Sequence, residues 1–149
     1  LDIQNPNRFI TSGGLGAMGF GLGAAIGASF ATNKRVINIA GDGSFYMNMA
    51  ELSTIAHYKL PIIEIVFNNS SLGLVQQLQE DGFGKTYASD FVRNTNLLKL
   101  AEGFGIDGYR IANIDEAEST FKTALAKDLP ALIEISLPYE TGKLTEIRF

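Results

Sequence analysis

Four short apolar runs rich in β-branched residues mark the chain: Val36 to Ala40, Ile62 to Phe67, Tyr109 to Ile111 and Ala131 to Leu137. Each is set off by turn chemistry. The first stops at Gly41-Asp42-Gly43-Ser44. The second follows Pro61 and ends at Asn68-Asn69-Ser70-Ser71. The last follows Pro130. Runs of this length with such punctuation predict buried strands. Helical patterns fill the gaps. The small, apolar stretch from Met18 to Ala31 predicts one helix. Phe45 to Tyr58 predicts another, with Ser44 as N-cap and Met47, Leu52, Ile55 and Ala56 along one side. A short helix is expected over Leu72 to Leu78, and a loop over Glu80 to Ala88, which holds Asp81-Gly82 and Gly84. Asn96 to Phe104 reads as a helix closing at Gly105. Asp115 is expected to cap a helix from Glu116 to Lys127. The polar tail, residues 138–149, is expected to be peripheral.

Strands alternating with helices predict an α/β fold, a three-layer α/β/α arrangement around a mainly parallel sheet. Ligands in such sheets bind at the carboxyl ends of strands. Gly41-Asp42-Gly43 and Asn68-Asn69 both fall at such ends, so adjacent strands would bring Asp42 and Asn69 within reach of each other.

Composition narrows the functions. A chain of 149 residues fits one domain, and 46% hydrophobic residues suffice for a core. Net charge is −4, with no Lys/Arg cluster, which argues against nucleic acid as partner. The absence of Cys excludes a disulfide framework, a thiolate metal site and a Cys nucleophile. The single histidine, His57, excludes a multi-histidine zinc site and reads as a solvated helix residue. No basic segment precedes an apolar core and cleavage site as in a signal peptide. A cytoplasmic protein is expected. The first residue is Leu1 rather than Met, which suggests a piece of a longer chain.

The 16 glycines are unevenly spread, with seven between Gly13 and Gly27. They lie in a stretch, Phe9 to Asn33, that carries no charge. Three readings compete for it. A membrane helix is suggested by the Gly19-x-x-x-Gly23-x-x-x-Gly27 spacing. The helical part is nevertheless too short to cross a bilayer core of ~30 Å, and polar Thr11-Ser12 opens the stretch. A dinucleotide site is suggested by Gly14-x-Gly16-x-x-Gly19, with Asp42 where a ribose-binding acid would sit. That reading needs a buried strand running into the first Gly, and only Phe9-Ile10 are apolar there. The third reading is a tight loop feeding a helix N-terminus, where Gly permits close ligand approach. The small residues Ala24, Ala25, Gly27 and Ala28 would then let the helix pack closely on a sheet.

A carboxylate oxygen and an amide oxygen at neighbouring strand ends suit a hard divalent cation. Mg²⁺ takes about six oxygens and usually shares them among a few protein groups, phosphate and water. A helix opening at Ser44 would offer N-terminal amides to phosphate oxygens, and Gly41 and Gly43 would let backbone come close. A metal-bridged diphosphate is one reading of these residues. Ordinary turn chemistry is the other, since Gly-Asp-Gly and Asn-Asn are common loop formers.

Gly41-Asp42-Gly43, then 24 residues, then Asn68-Asn69 resembles the thiamine diphosphate motif. The stretch from Thr11 to Gly21 looks like the cofactor loop of the acetolactate synthase large subunit. Gly41-Asp42-Gly43-Ser44-Phe45-x-Met47-Asn48-x-x-Glu51-Leu52 and Asn68-Asn69-x-x-Leu72-Gly73-Leu74-Val75 continue the resemblance, in register from Pro6 to Val75 and more loosely to Leu137. In that family this would be the C-terminal, diphosphate-binding domain of a chain several times as long.

The resemblance implies roles by position. Asp42 and Asn69 would bind Mg²⁺ through side-chain oxygens and Ser71 through its carbonyl. Gly43, Ser44, Ser71, Leu72, Gly73 and Leu74 would hold the diphosphate of thiamine diphosphate beside Gly41. The Gly16 carbonyl would accept from the aminopyrimidine amino group. Met18 would wedge beneath the cofactor and force its rings into a V, setting that amino group beside the thiazolium C2. The cofactor would then serve as electron sink for a 2-oxo acid losing CO₂. Pyruvate decarboxylation with carboligation to a second 2-oxo acid is implied, a transferase step of branched-chain amino acid biosynthesis. The activating Glu lies on a separate pyrimidine-binding domain, usually a neighbouring subunit's, and no segment here resembles it. The implied partner is that domain, the implied assembly a homodimer or tetramer, and this chain alone is expected to be inactive. Two departures stand out. Leu78 occupies the place of the Trp that shapes the acceptor pocket in biosynthetic enzymes, which makes a related decarboxylase plausible. Gly23 stands where many relatives have Pro.

Overall fold

The computed structural model describes residue 3 and residues 8–91 and 95–138. In chain order these form α1 (Phe20–Thr32), β1 (Val36–Gly41), α2 (Asp42–Asn48), a 3₁₀ turn (Met49–Glu51), α3 (Leu52–Tyr58), β2 (Ile62–Asn68), α4 (Gly73–Phe83), α5 (Leu97–Gly103), β3 (Asp107–Ile111), a second 3₁₀ turn (Ile114–Glu116), α6 (Ala117–Ala126) and β4 (Ala131–Ser136). The four strands make one parallel sheet in the order β1-β2-β4-β3. All four apolar runs are strands, as their β-branched composition predicts.

Helices cover both faces. On one side Leu22 and Ala25 of α1, Phe45 of α2, Leu52 and Ile55 of α3, and Leu97 and Ala101 of α5 pack with Ile62, Val66 and Leu132 of the sheet. On the other, Ala124 of α6 packs with Ile63, Ile65, Ile111, Ala131 and Ile133, and Phe121 joins them. The β1 side of this second face is barer: Ile37, Ile39 and Phe67 remain exposed. The layered α/β architecture read from the alternation is therefore present. Among the described residues no helix is long and apolar enough to cross a membrane.

Several local expectations need correcting. The helix placed at Phe45 begins at Asp42, so Ser44 lies within its first turn and caps nothing. That helix also breaks at Asn48 (φ −133°) before the 3₁₀ turn and α3. Met47 is exposed, while Leu52 and Ile55 are buried. α4 runs to Phe83 and takes in the start of the expected loop; Asp81-Gly82 does not stop it, and Gly84 (φ 63°) does. Asn113, not Asp115, caps the turn before α6: its side chain accepts from the Glu116 N–H, and the Glu116 carboxylate accepts from Ala112 N–H at 2.9 Å. β4 stops at Ser136, one residue before the expected end. In α1 the close approach to the sheet is made at Gly21, where a Cβ would lie 2.5 Å from Asn38 Oδ1. Gly23 and Gly27 face open space, so of the Gly-x-x-x-Gly spacing only Gly19 packs closely, against Met47. The expected tail beyond residue 138 lies outside the described residues.

Candidate cofactor site

The site grows from the carboxyl ends of β1 and β2, which pair in register up to Gly41 opposite Phe67. Gly41 is extended and Asp42 begins α2, so the Asp42 side chain is fixed at the strand-to-helix corner and almost fully buried. Its Oδ1 accepts from the Gly43 N–H and its Oδ2 from the Ser70 N–H, each at 2.8 Å. Burial pushes the Asp42 carboxyl above its ordinary range, and backbone N–H groups of Gly43, Ser70, Ser71 and Asn69 pull it back. A buried carboxylate surrounded by amide dipoles alone invites a cation.

After β2 the chain turns sharply at Ser70, which adopts a left-handed φ of 63°. Such a conformation costs a β-carbon residue about 1 kcal/mol, so the turn must be held. The Ser70 N–H is shared between Asp42 Oδ2 and Asn68 Oδ1, the latter at 3.1 Å. Asn69 Oδ1 accepts from Ser71 N–H at 3.3 Å. The segment just after the expected loop, Ser89 to Phe91, contributes as well. Leu72 N–H donates to the Ser89 carbonyl, and Phe91 N–H to that of Ser70. Ser71 forms an antiparallel bridge with Asp90.

The two asparagines are not equivalent. Asn68 is buried and turned into the sheet, its Nδ2 donating to Glu134 Oε1 at 2.8 Å. Asn69 is only half-buried and lies over the start of α4: a Cβ at Gly73 would meet its Nδ2 at 2.9 Å. A Cβ at Gly43 would meet Leu72 Cδ2 at 2.5 Å and Met18 Cε at 3.2 Å. Asp42 and the Asn69–Ser71 turn are thus brought together, as adjacent strands predicted, and Met18, Gly43, Leu72 and Gly73 lie beside them.

The glycine-rich loop is pinned from α2. Gly19 N–H donates to Ser44 Oγ at 2.9 Å, and Asn48 Nδ2 donates to the Gly19 carbonyl at 2.8 Å. Gly19 needs its glycine: its φ is 80°, and a Cβ there would lie 3.1 Å from Met47 Cβ. Gly16 is exposed in a left-handed turn closed by its N–H on the Ser12 carbonyl. Leu74, at the start of α4, is exposed. Residues 8–12 form no strand, so the dinucleotide reading lacks the element it requires. Sequence reasoning missed Asn48, Glu134 and Arg110. Only Asn48 carried a signal, its one-turn spacing from Ser44.

The donor set suits a hard cation. Among the described residues no three His, Cys, Asp or Glu side chains gather around a common point. An ion here would take one carboxylate and otherwise amide and carbonyl oxygens, which is Mg²⁺ chemistry rather than zinc chemistry. Among the described residues Ser71 Oγ is buried without a hydrogen-bond partner beside this turn. Gly43 and Gly73 have no room for a side chain, which would meet Leu72 and Asn69, so the backbone at both positions stays bare. The residues present fit a metal-bridged diphosphate.

Comparison with known proteins identifies the family. The family described as "Thiamine pyrophosphate enzyme, C-terminal TPP binding domain" matches residues 1–135. A probable acetolactate synthase large subunit of Methanococcus aeolicus is 43% identical over 136 residues, 90% of this chain and 23% of that protein. The acetolactate synthase isozyme 2 large subunit of Escherichia coli K12 is 43% identical over 134 residues, 89% of this chain and 24% of that one. The Rhodococcus jostii RHA1 thiamine diphosphate-dependent 4-hydroxybenzoylformate decarboxylase superposes with a TM-score of 0.78 at 36% identity, covering 85% of this chain and 24% of that structure. The chain spans about a quarter of the length of these relatives. With the strand-end site in place and the match running through residue 135, the chain belongs to the thiamine pyrophosphate enzyme family, as its C-terminal, cofactor-binding domain.

Proposed function

We propose that this domain holds the diphosphate end of thiamine diphosphate through Mg²⁺. The observation that carries the reading is the meeting of Asp42 with the Asn69–Ser71 turn across adjacent parallel strands. Asp42 and Asn69 side chains and the Ser71 carbonyl would ligate the ion. Amides at the start of α4, around Leu72, Gly73 and Leu74, would receive phosphate oxygens. The N-terminal amide of α2 contributes less than expected, because the Gly43 N–H is already taken by Asp42. The Ser44 hydroxyl, which accepts from Gly19, keeps its proton to donate. The Gly16 carbonyl would face the aminopyrimidine and Met18, whose Cε methyl reaches toward Gly43, would support the cofactor from below.

When bound, the cofactor supplies an electron sink for a 2-oxo acid losing CO₂. Within the whole protein the domain would serve decarboxylation of pyruvate and carboligation to a second 2-oxo acid, as an acetolactate synthase. The supporting facts are the 43% identities and the matching motifs. The pyrimidine-binding domain, with its activating Glu, would come from elsewhere in the protein or a neighbouring subunit of a homodimer or tetramer, so this domain by itself would not turn over. A second reading is another thiamine diphosphate-dependent decarboxylase. It is favoured by Leu78, which lies exposed on α4 with Leu74 and offers no indole to an acceptor pocket.

Calorimetry with thiamine diphosphate, with and without Mg²⁺, tests the binding. Mg²⁺-dependent heat that Asp42→Ala abolishes is expected. Unchanged affinity in that variant would remove the metal assignment. Assaying the full-length protein for acetolactate against free aldehyde separates the two enzymatic readings.

A further inference from the structure

A buried polar chain leads from the edge of the sheet to the Asn68–Ser71 turn. Arg110 on β3 donates to Glu134 Oε2 on β4, through Nε at 3.0 Å and a terminal nitrogen at 2.9 Å. Glu134 Oε1 accepts from Asn68 Nδ2 at 2.8 Å, and Asn68 Oδ1 accepts from the Ser70 N–H at 3.1 Å. The register makes this geometry possible. Arg110, Glu134 and Val66 lie in one row across β3, β4 and β2, with Asn68 two residues beyond Val66. The Glu134 side chain is only 6% exposed, while that of Arg110 is 44% exposed. An ion pair so placed stabilises little by itself, because desolvation offsets the Coulomb gain. What it does is orient. With Oε2 held by Arg110, Oε1 points along the sheet to Asn68 and fixes which way that amide faces. Asn68 then presents Oδ1 to Ser70 and keeps its Nδ2 out of the site.

We infer that Glu134 and Arg110 are positioning residues for this turn, holding the left-handed Ser70 so that Asn69 and Ser71 stand at the metal position. The consequence for metal binding rests on the Mg²⁺ reading above; the consequence for the turn does not. Groups that orient metal ligands from behind typically change metal affinity 10–100-fold when removed.

Two measurements test the inference. The first is Mg²⁺ titration in the presence of thiamine diphosphate. Glu134→Ala is expected to weaken apparent Mg²⁺ affinity within that 10–100-fold range, and Glu134→Gln, which keeps an acceptor for Asn68, to restore most of it. The second is amide hydrogen exchange on the metal-free chain. Exchange at Ser70 should quicken about twofold or more in Glu134→Ala, the low end of one hydrogen bond's worth, because the N–H keeps Asp42 Oδ2 as an acceptor. It should stay near the unmodified rate in Glu134→Gln, with Ile65 and Ile133 unchanged in both. If Glu134→Ala does not fold, Arg110→Gln makes the same test, with faster Ser70 exchange expected. Unchanged Ser70 exchange in the folded variant overturns the inference. Absent Mg²⁺ binding in the unmodified chain, with Ser70 exchange still responding, would sink the metal reading alone.

Discussion

Replacing Glu64 by Gln should make the domain less sensitive to pH between about 4.5 and 7. Glu64 sits mid-strand in β2, 1% exposed, on the wall of a cavity of ≈ 170 Å³ between the glycine-rich loop and β1. Its Oε2 accepts from Asn38 Nδ2 at 2.7 Å, and among the described residues its Oε1 has no partner. α1, packed over it, brings no charged side chain, and no buried Lys, Arg or His lies among the described residues to pair with it. Burial pushes the Glu64 carboxyl from 4.5 up to about 7, with the Asn38 N–H pulling weakly the other way. Between those values the folded chain holds a proton that the unfolded chain releases. The resulting stabilisation is complete below about 4.5 and is lost as pH rises through about 7. From 7 − 4.5 = 2.5 it amounts to about 3 kcal/mol. Glu64→Gln removes the titration and keeps an oxygen for Asn38. Urea unfolding at pH 5 and pH 8 would be compared for both chains. The unmodified domain should lose about 3 kcal/mol more than the variant across that interval, a midpoint difference of 1 M urea or more at ordinary slopes. Taking the difference between chains cancels the other titrating groups, including Asp107, which Lys127 holds below the usual range. Parallel pH profiles would refute the reasoning and show that water in the cavity solvates the carboxylate as well as bulk solvent does.

Three further outcomes follow from the site. Asn48→Ala should free the Gly19 carbonyl, destabilise by about 1 kcal/mol in urea unfolding, and weaken thiamine diphosphate binding by calorimetry; unaltered binding would show that Ser44 alone pins the loop. Gly43→Ala places a carbon 2.5 Å from Leu72 Cδ2. It should reduce Mg²⁺-dependent cofactor affinity much more than thermal stability, because a leucine end can move but Leu72 and Met18, both assigned to the cofactor, are then pushed out of place. Ser70→Gly should raise the unfolding free energy in urea by about 1 kcal/mol, since Gly carries no left-handed penalty; a loss instead would mean the serine side chain contributes more than its backbone costs.

Much of this was readable from the residues because it depends on local chemistry. β-branched runs made strands, and Gly-Asp-Gly and Asn-Asn marked the strand ends where ligands gather. What escaped depends on side chains reaching across the chain. Ser44 looked like a cap because capping residues and first-turn residues are the same types; only the distant Gly19 N–H shows where its oxygen is used. Asp81-Gly82 looked like a turn, yet α4 continues through it because the helix is held at both ends by the 88–91 segment and Gly84 rather than by local propensity. The Arg110–Glu134–Asn68 chain joins residues 24 and 66 apart, and no periodicity in a sequence announces a row across a sheet.

The fit of Gly21 against Asn38 constrains how this domain can vary over time. A single added carbon at position 21 meets the Asn38 oxygen at 2.5 Å, and displacing Asn38 strips Glu64 of the one side-chain donor it has among the described residues. The three positions therefore form an ordered set of substitutions. Glu64 must first give way to an apolar residue, Asn38 can then shrink, and only afterwards can position 21 gain a side chain. Lineages that took the steps in another sequence would pass through a destabilised intermediate, so these sites should change together or not at all.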